Sequence, residues 1–154
     1  MKILILNGPN LNRLGLRKPE IYGSKTMAQI LLDIQQKWPD VHFVYRQSNH
    51  EGDLIDWIQN PSPTLPTKEG DEPIKGIVLN AGGYSHTSVA LRDAVEESEV
   101  PVVEVHISDI HAREPFRNTD LLADVCAQSI IGKGTDGYML GVEWLLEKRP
   151  LRSK

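Results

Sequence analysis

Gly76-Ile-Val-Leu-Asn80-Ala-Gly-Gly-Tyr-Ser-His86-Thr-Ser-Val-Ala-Leu-Arg92-Asp93 runs from an apolar strand through a turn bearing an amide, two glycines and a histidine, then into a segment of helical period. A strand, a tight polar turn and a helix in that order form the unit from which an α/β protein builds its ligand pocket. Three further apolar runs rich in β-branched residues resemble the first: Ile3 to Leu6, Val41 to Tyr45 and Val102 to Val105. Between them lie segments of helical period. Thr26 can cap a helix carrying Met27, Ile30, Leu31, Ile34 and Trp38, ended by Pro39. Ser48-Asn-His-Glu51 reads as a capping box for a second helix with Leu54, Ile55 and Ile58. Thr87 to Glu97 gives a third helix, Val125 to Ile131 a fifth strand, and Thr135 to Lys148, with Leu140, Trp144 and Leu145, a fourth helix. The pattern predicts an α/β fold: a doubly wound, parallel five-stranded sheet with helices on both faces.

A chain of 154 residues, 40% hydrophobic and 25% charged, suits one globular domain over residues 1–154. The formal charge of -4 offers no broad basic field, which argues against nucleic acid as a partner. The single Cys126 excludes an internal disulfide and a cysteine-rich metal site, and fits a reducing cytoplasm; it reads as a small buried residue on a strand. Asn7-Gly-Pro-Asn interrupts the apolar start of the chain too early for a signal peptide. No run approaches the roughly 20 apolar residues of a membrane span, so the expectation is a soluble, cytoplasmic protein without a membrane partner. Residues 149–154 read as a disordered tail.

Two connections are long. Gly8 to Lys25 exceeds an ordinary strand-to-helix turn and is a candidate lid over residues 8–25. Asn60 to Pro73, with four prolines, follows a helix and therefore falls on the side of the sheet opposite the ligand.

Ligands of doubly wound sheets sit beyond the carboxyl ends of the strands. After the first strand come Asn7, Asn10, Asn12 and Arg13; after the third, Asn80 and His86; at the end of the fourth, Glu104, His106 and Ser108. No Gly-x-Gly-x-x-Gly or Walker pattern occurs, against dinucleotides and nucleoside triphosphates. Asn80-Ala-Gly-Gly offers main-chain amides to a carboxylate or phosphate at a helix N-terminus. Glu104 and His106, two apart on a strand, share a face, either as a structural pair or as a carboxylate orienting a general acid. Tyr22 lies near Arg17 in the candidate lid; cationic neighbours favour a tyrosinate. Arg113 and Arg117 can hold the lid, hold a substrate hydroxyl, or lie in solvent. His86, His106 and His111 form no His-x-x-x-His pair, and a metal is not expected.

Five segments in register resemble the type II 3-dehydroquinate dehydratase family: Leu6 to Gly15, Arg17 to Gly23, Gln47 to Gly52, Asn80 to Asp93, and Glu104 to Ser108 with His111 to Arg117. The resemblance covers nearly the whole chain and implies a flavodoxin-like fold. It further implies anti elimination of water from 3-dehydroquinate through an enolate to give 3-dehydroshikimate, in the shikimate route or in quinate breakdown, without a cofactor. By this likeness Tyr22 is the base and His106 the acid. Arg17 keeps Tyr22 ionised, Glu104 orients His106, and Asn10 stabilises the enolate through a water. The amides of Ile107 and Ser108, with Asn80, receive the substrate carboxylate; His86 and Arg117 hold the ring hydroxyls, and Arg113 latches the lid. The likeness also implies a homo-oligomer, a dodecamer built from trimers, with Asp93 reaching the neighbouring site. Ala81 stands where proline is common in the family, and the 60–73 loop is longer than the family norm. A Schiff-base enzyme would instead need a buried lysine, and Lys2, Lys25, Lys75 and Lys133 all fall at strand edges or in loops. A flavodoxin-like binding domain without turnover is the other alternative.

Overall fold

Apolar strands punctuated by polar turns form a five-stranded, all-parallel sheet in the computed structural model, which describes residues 1–62 and 71–148. The strands are β1 (Lys2–Asn7), β2 (His42–Gln47), β3 (Ile74–Asn80), β4 (Val102–His106) and β5 (Gln128–Ile131). Their order is β2-β1-β3-β4-β5, the flavodoxin-like order, and it reverses direction between β1 and β3. The register sets Asn7 of β1 beside Asn80 of β3, so two amide side chains meet at the point where ligands collect.

Alternation along the strands feeds two cores. Ile3, Ile5, Val78, Val103 and Val105 face one way, against α2 (Met27–Lys37) and α5 (Asp136–Glu147). Leu4, Leu6, Ile77, Leu79 and Val102 face the other, against α3 (Glu51–Gln59) and α4 (Val89–Glu96). The expected helices on both faces are present. In α5 the buried stripe is Gly137, Tyr138, Gly141, Val142 and Leu145, whereas Leu140, expected inside, is 39% exposed. Built Cβ atoms on Gly137 and Gly141 would lie 2.9 Å from Val105 and 3.1 Å from Val78, so these glycines let α5 lie close on the sheet.

Three local expectations are corrected. Thr26 does cap α2, in a reciprocal box with Gln29, but Ser48 does not cap α3. The cap position is His50, without a side-chain bond, and the Ser48 hydroxyl accepts from the His50 amide while donating to Asp53 at 2.6 Å. The third helix does not start at Thr87: a 3-10 turn over Gly82–His86 comes first, and Ser88 caps α4 by accepting from Leu91. The amides after β3 therefore belong to that turn and not to a helix N-terminus. The fifth strand is shorter than expected, because the amides of Val125 and Cys126 both return to the Leu122 carbonyl and bend the chain before Gln128. Cys126 lies in this bend, half-buried, its thiol pushed up by burial and by the carboxylates of Glu104, Asp120 and Asp124.

The 8–25 connection divides in two. Leu11 and Leu14 are 5% and 6% exposed, and burial of two leucines contributes roughly 3–6 kcal/mol, enough to anchor the first half to the core. Beyond Gly15, at a φ of +90° that an L side chain rarely adopts, Leu16 is 74% exposed and the short helix α1 (Pro19–Tyr22) buries no residue. Any lid movement is thus confined to the part that carries Arg17 and Tyr22. At the opposite end of the sheet, the start of β1 holds the described edge of the 60–73 loop, through Lys2 with Asp71 at 2.7 Å and the N-terminus with Glu72 at 2.8 Å. The rest of that loop and the 149–154 tail lie outside the described residues. Among the described residues no helix is long and apolar enough to cross a membrane.

Candidate active site

The loops after β1, β3 and β4 line a small, open pocket of about 50 Å³ at the carboxyl end of the sheet, where the strand order reverses. Its floor depends on two close approaches. A Cβ on Gly8 would stand 2.5 Å from the Ala81 carbonyl oxygen, and Gly82, at φ +58°, lies against the Pro9 carbonyl. The Gly8 amide donates to the Asn80 carbonyl at 2.7 Å, tying the two loops together. Asn80 turns its carboxamide inward: Oδ1 accepts from the Gly82 amide at 3.2 Å, and Nδ2 donates to the buried Tyr138 hydroxyl at 2.9 Å. That hydroxyl donates in turn to Asn7 Oδ1 at 2.9 Å, and its burial holds it as the neutral phenol.

Tyr22 forms one wall. Arg113 Nη1 donates to its hydroxyl at 2.9 Å and to the Ser108 hydroxyl at 3.2 Å, while the Arg17 guanidinium sits 4.8 Å from the centre of its ring. Arg113 thus joins the loop after β4 to α1, 91 residues away in sequence.

His106, 5% exposed, faces Tyr22's pocket from the end of β4. Its Nε2 donates to Glu104 Oε1 at 2.6 Å, and the other Glu104 oxygen accepts from Ser129 on β5 at 2.8 Å. Glu104 is fully buried, and burial raises its pKa. Asp120 brings a second carboxylate, with Oδ2 3.3 Å from Nε2. Burial of His106 disfavours its charged form, but the bonds and charge of Asp120 and Glu104 outweigh burial and lift its pKa to about 9. With Nε2 committed to the carboxylates, Nδ1 is the ring nitrogen left for the pocket. The ligating atoms of Glu104, His106 and Asp120 lie within 4.8 Å of one another, as a cation site would require. The 2.6 Å separation of Nε2 from Oε1, however, accommodates a proton and is too short for an intervening ion with bonds near 2 Å.

Of the expected site residues, Arg17, Tyr22, Asn80, His106, Ile107, Ser108 and Arg113 line this one pocket, with Glu104 directly behind His106. His86 stands beside them, its ring 6.2 Å from that of His106 and its Nδ1 bonded to the Thr119 carbonyl at 2.7 Å. Asn10 is exposed at φ +68°, its amide held by Asn49 Oδ1 at 2.9 Å. Arg117 lies outside the lining, paired with Glu114 at 2.7 Å, and Asp93 is exposed on α4. No lysine lines the pocket; Lys25 and Lys133 border a separate depression on the far side of Tyr22, so a Schiff base has no amine here. Sequence reasoning missed Asp120, Ser129 and Tyr138. Ser129 was within reach, since it pairs with Glu104 in the β4–β5 register.

Comparisons with known proteins agree on a family. The 3-dehydroquinate dehydratase of Azorhizobium caulinodans is 48% identical over 152 residues, covering 97% of each chain. That of Bacillus subtilis is 47% identical over 148 residues, covering 95% of this chain and 94% of the relative. The crystal structure of type II dehydroquinase from Butyrivibrio crossotus superposes with a TM-score of 0.82 at 38% identity, covering 95% of this chain and 97% of that one. A family model described as dehydroquinase class II matches residues 1–146, and with such relatives along nearly its whole length the chain belongs to that family.

Proposed function

We propose that this protein is a 3-dehydroquinate dehydratase, with Tyr22 as base and His106 as acid. The observation that carries the assignment is the pairing across one pocket of a tyrosine oxygen held by Arg113 with a histidine bonded to a buried carboxylate. The tyrosinate takes a proton from the carbon next to the substrate ketone, and the electron pair moves into the carbonyl as an enolate. Asn10 stabilises that oxygen through a bridging water. The enolate then collapses, the carbon–oxygen bond of the β-hydroxyl breaks, and His106 Nδ1 gives the departing oxygen its proton. Water and the conjugated enone leave, and solvent returns the proton from Tyr22 to His106.

Arg17 and Arg113 hold Tyr22 as the anion, and Glu104 keeps Nε2 protonated so that Nδ1 delivers. The amides of Ile107 and Ser108 and the free hydrogen of Asn80 Nδ2 receive the substrate carboxylate. His86, fixed through Nδ1, offers Nε2 to a ring hydroxyl, and Arg117 swings from Glu114 to another. The reaction is internal acid–base chemistry and asks for no cofactor or metal. The family likeness supports a role in the shikimate route or quinate breakdown, a cytoplasmic setting, and a dodecamer of trimers in which the exposed Asp93 reaches a neighbouring site.

The test is the rise in ultraviolet absorbance as the enone forms from 3-dehydroquinate, repeated with Tyr22→Phe. Loss of most turnover with ligand affinity nearly intact is expected; near-normal turnover in the variant refutes the role of Tyr22. Binding without any absorbance rise in the unsubstituted protein would favour a binding domain.

A further inference from the structure

We propose that Asp120 is a positioning residue for the acid: its buried Oδ2, 3.3 Å from His106 Nε2, completes with Glu104 a two-carboxylate cradle that keeps the ring charged and Nδ1 aimed into the pocket. The inference rests on the assignment of His106 as the acid. Asp120 has a side chain 7% exposed, and its Oδ2 is the one buried side-chain oxygen or nitrogen among the described residues without a hydrogen bond. Buried polar atoms are nearly always bonded, so a carboxylate oxygen held bare against an imidazole needs a reason, and the charge of the ring supplies one. Its geometry is imposed, because Oδ1 accepts from the Leu122 amide at 3.1 Å and Leu122 is fully buried.

The two carboxylates divide the work. Burial raises the pKa of Glu104, the more deeply placed of the two, which weakens it as a counter-ion. Burial opposes ionisation of Asp120 as well, but the neighbouring His106 and Glu104 and the Leu122 amide bonded to Oδ1 outweigh it and hold it below the usual carboxylate range. Glu104, bonded to Nε2 at 2.6 Å, fixes the ring, and Asp120, with Oδ2 at 3.3 Å, sets a second carboxylate against the same nitrogen. The other groups facing His106 are His86, stacked on it from the turn after β3, and Arg17, Tyr22 and Arg113 across the pocket.

Asp120→Asn removes the charge while keeping the size and an oxygen for the Leu122 amide. The His106 ring is titrated by NMR in the ligand-free variant, and kcat and KM are measured across pH. The ring is expected to titrate at least about one pH unit lower than in the unsubstituted protein, and the alkaline limb of kcat to move with it. The deficit in kcat is then about fivefold larger at pH 9 than at pH 6.5, with KM changed less, and Asp120→Glu recovers part of it. An unmoved ring titration, or a deficit independent of pH, overturns the proposal. Should the asparagine variant not fold, Asp120→Ser reads the same titration. Absence of dehydratase activity in the unsubstituted protein would count against the functional assignment, and the ring titration would still judge Asp120 alone.

Discussion

Tyr138→Phe removes one oxygen atom and tests the polar layer beneath the pocket. The Tyr138 hydroxyl accepts from Asn80 Nδ2 and donates to Asn7 Oδ1, both at 2.9 Å, between side chains that are 4% and 0% exposed. Phenylalanine fits the same space but can do neither. It leaves Asn7 Oδ1 without that donor and Asn80 Nδ2 without that acceptor, where water has no ready access. An orphaned buried group costs about 1–3 kcal/mol, so the pair should cost about 2–6 kcal/mol. With a urea m-value near 2 kcal/mol/M for a chain of this size, the unfolding midpoint should fall by about 1–3 M. The kinetic effect is expected mainly in KM, raised severalfold, since Asn80 forms part of the pocket while Tyr22 and His106 keep their own partners. A midpoint within about 0.3 M of the unsubstituted protein, together with an unchanged KM, would show that the layer does not support the site.

Gly8→Ala should prevent the loops after β1 and β3 from meeting, because the new Cβ would stand 2.5 Å from the Ala81 carbonyl oxygen; soluble yield and substrate binding should both fall, and normal binding refutes the close approach. Arg113→Met should lower kcat by about tenfold or more, since it removes the donor to both Tyr22 and Ser108, whereas a change confined to KM would assign Arg113 to binding alone. The His106 ring binds its proton more tightly in the fold, with a pKa of about 9, than in the unfolded chain, where 6.5 is usual. The stability this provides is complete below about pH 6.5 and is lost as pH rises through about 9, so the urea midpoint should decline over that interval and decline less in His106→Asn. Equal slopes for the two proteins would refute the coupling. A chelator should leave turnover unchanged, and inhibition would reopen the Glu104, His106 and Asp120 cluster as a cation site.

The Glu104–His106 pair was legible because the period of a strand carries its geometry, whereas the role proposed for Tyr22 came from the family resemblance alone. Glu104 and His106 are two apart on a strand, and they do meet at 2.6 Å on one face. The apolar runs gave the sheet and its helices for the same reason, with errors confined to ends where a local polar bond competes. Ser48 took Asp53 in place of a helix amide, and Leu122 captured two amides that the run from Val125 had seemed to offer a strand. The supporting groups have no such signal. Tyr138 reaches Asn7 across 131 positions and Arg113 reaches Tyr22 across 91. Asp120 lies in the irregular passage between β4 and β5, where neither period operates. A pattern of two or of 3.6 residues fixes direction over one strand or one helix; it cannot say which distant loop will supply a counter-charge. The consequence is a division within the site itself. The groups proposed to touch substrate can be read from motifs, whereas Tyr138, beneath the pocket, arrives only through the packing of α5 upon the sheet, and Asp120 only through the path of the loop between β4 and β5.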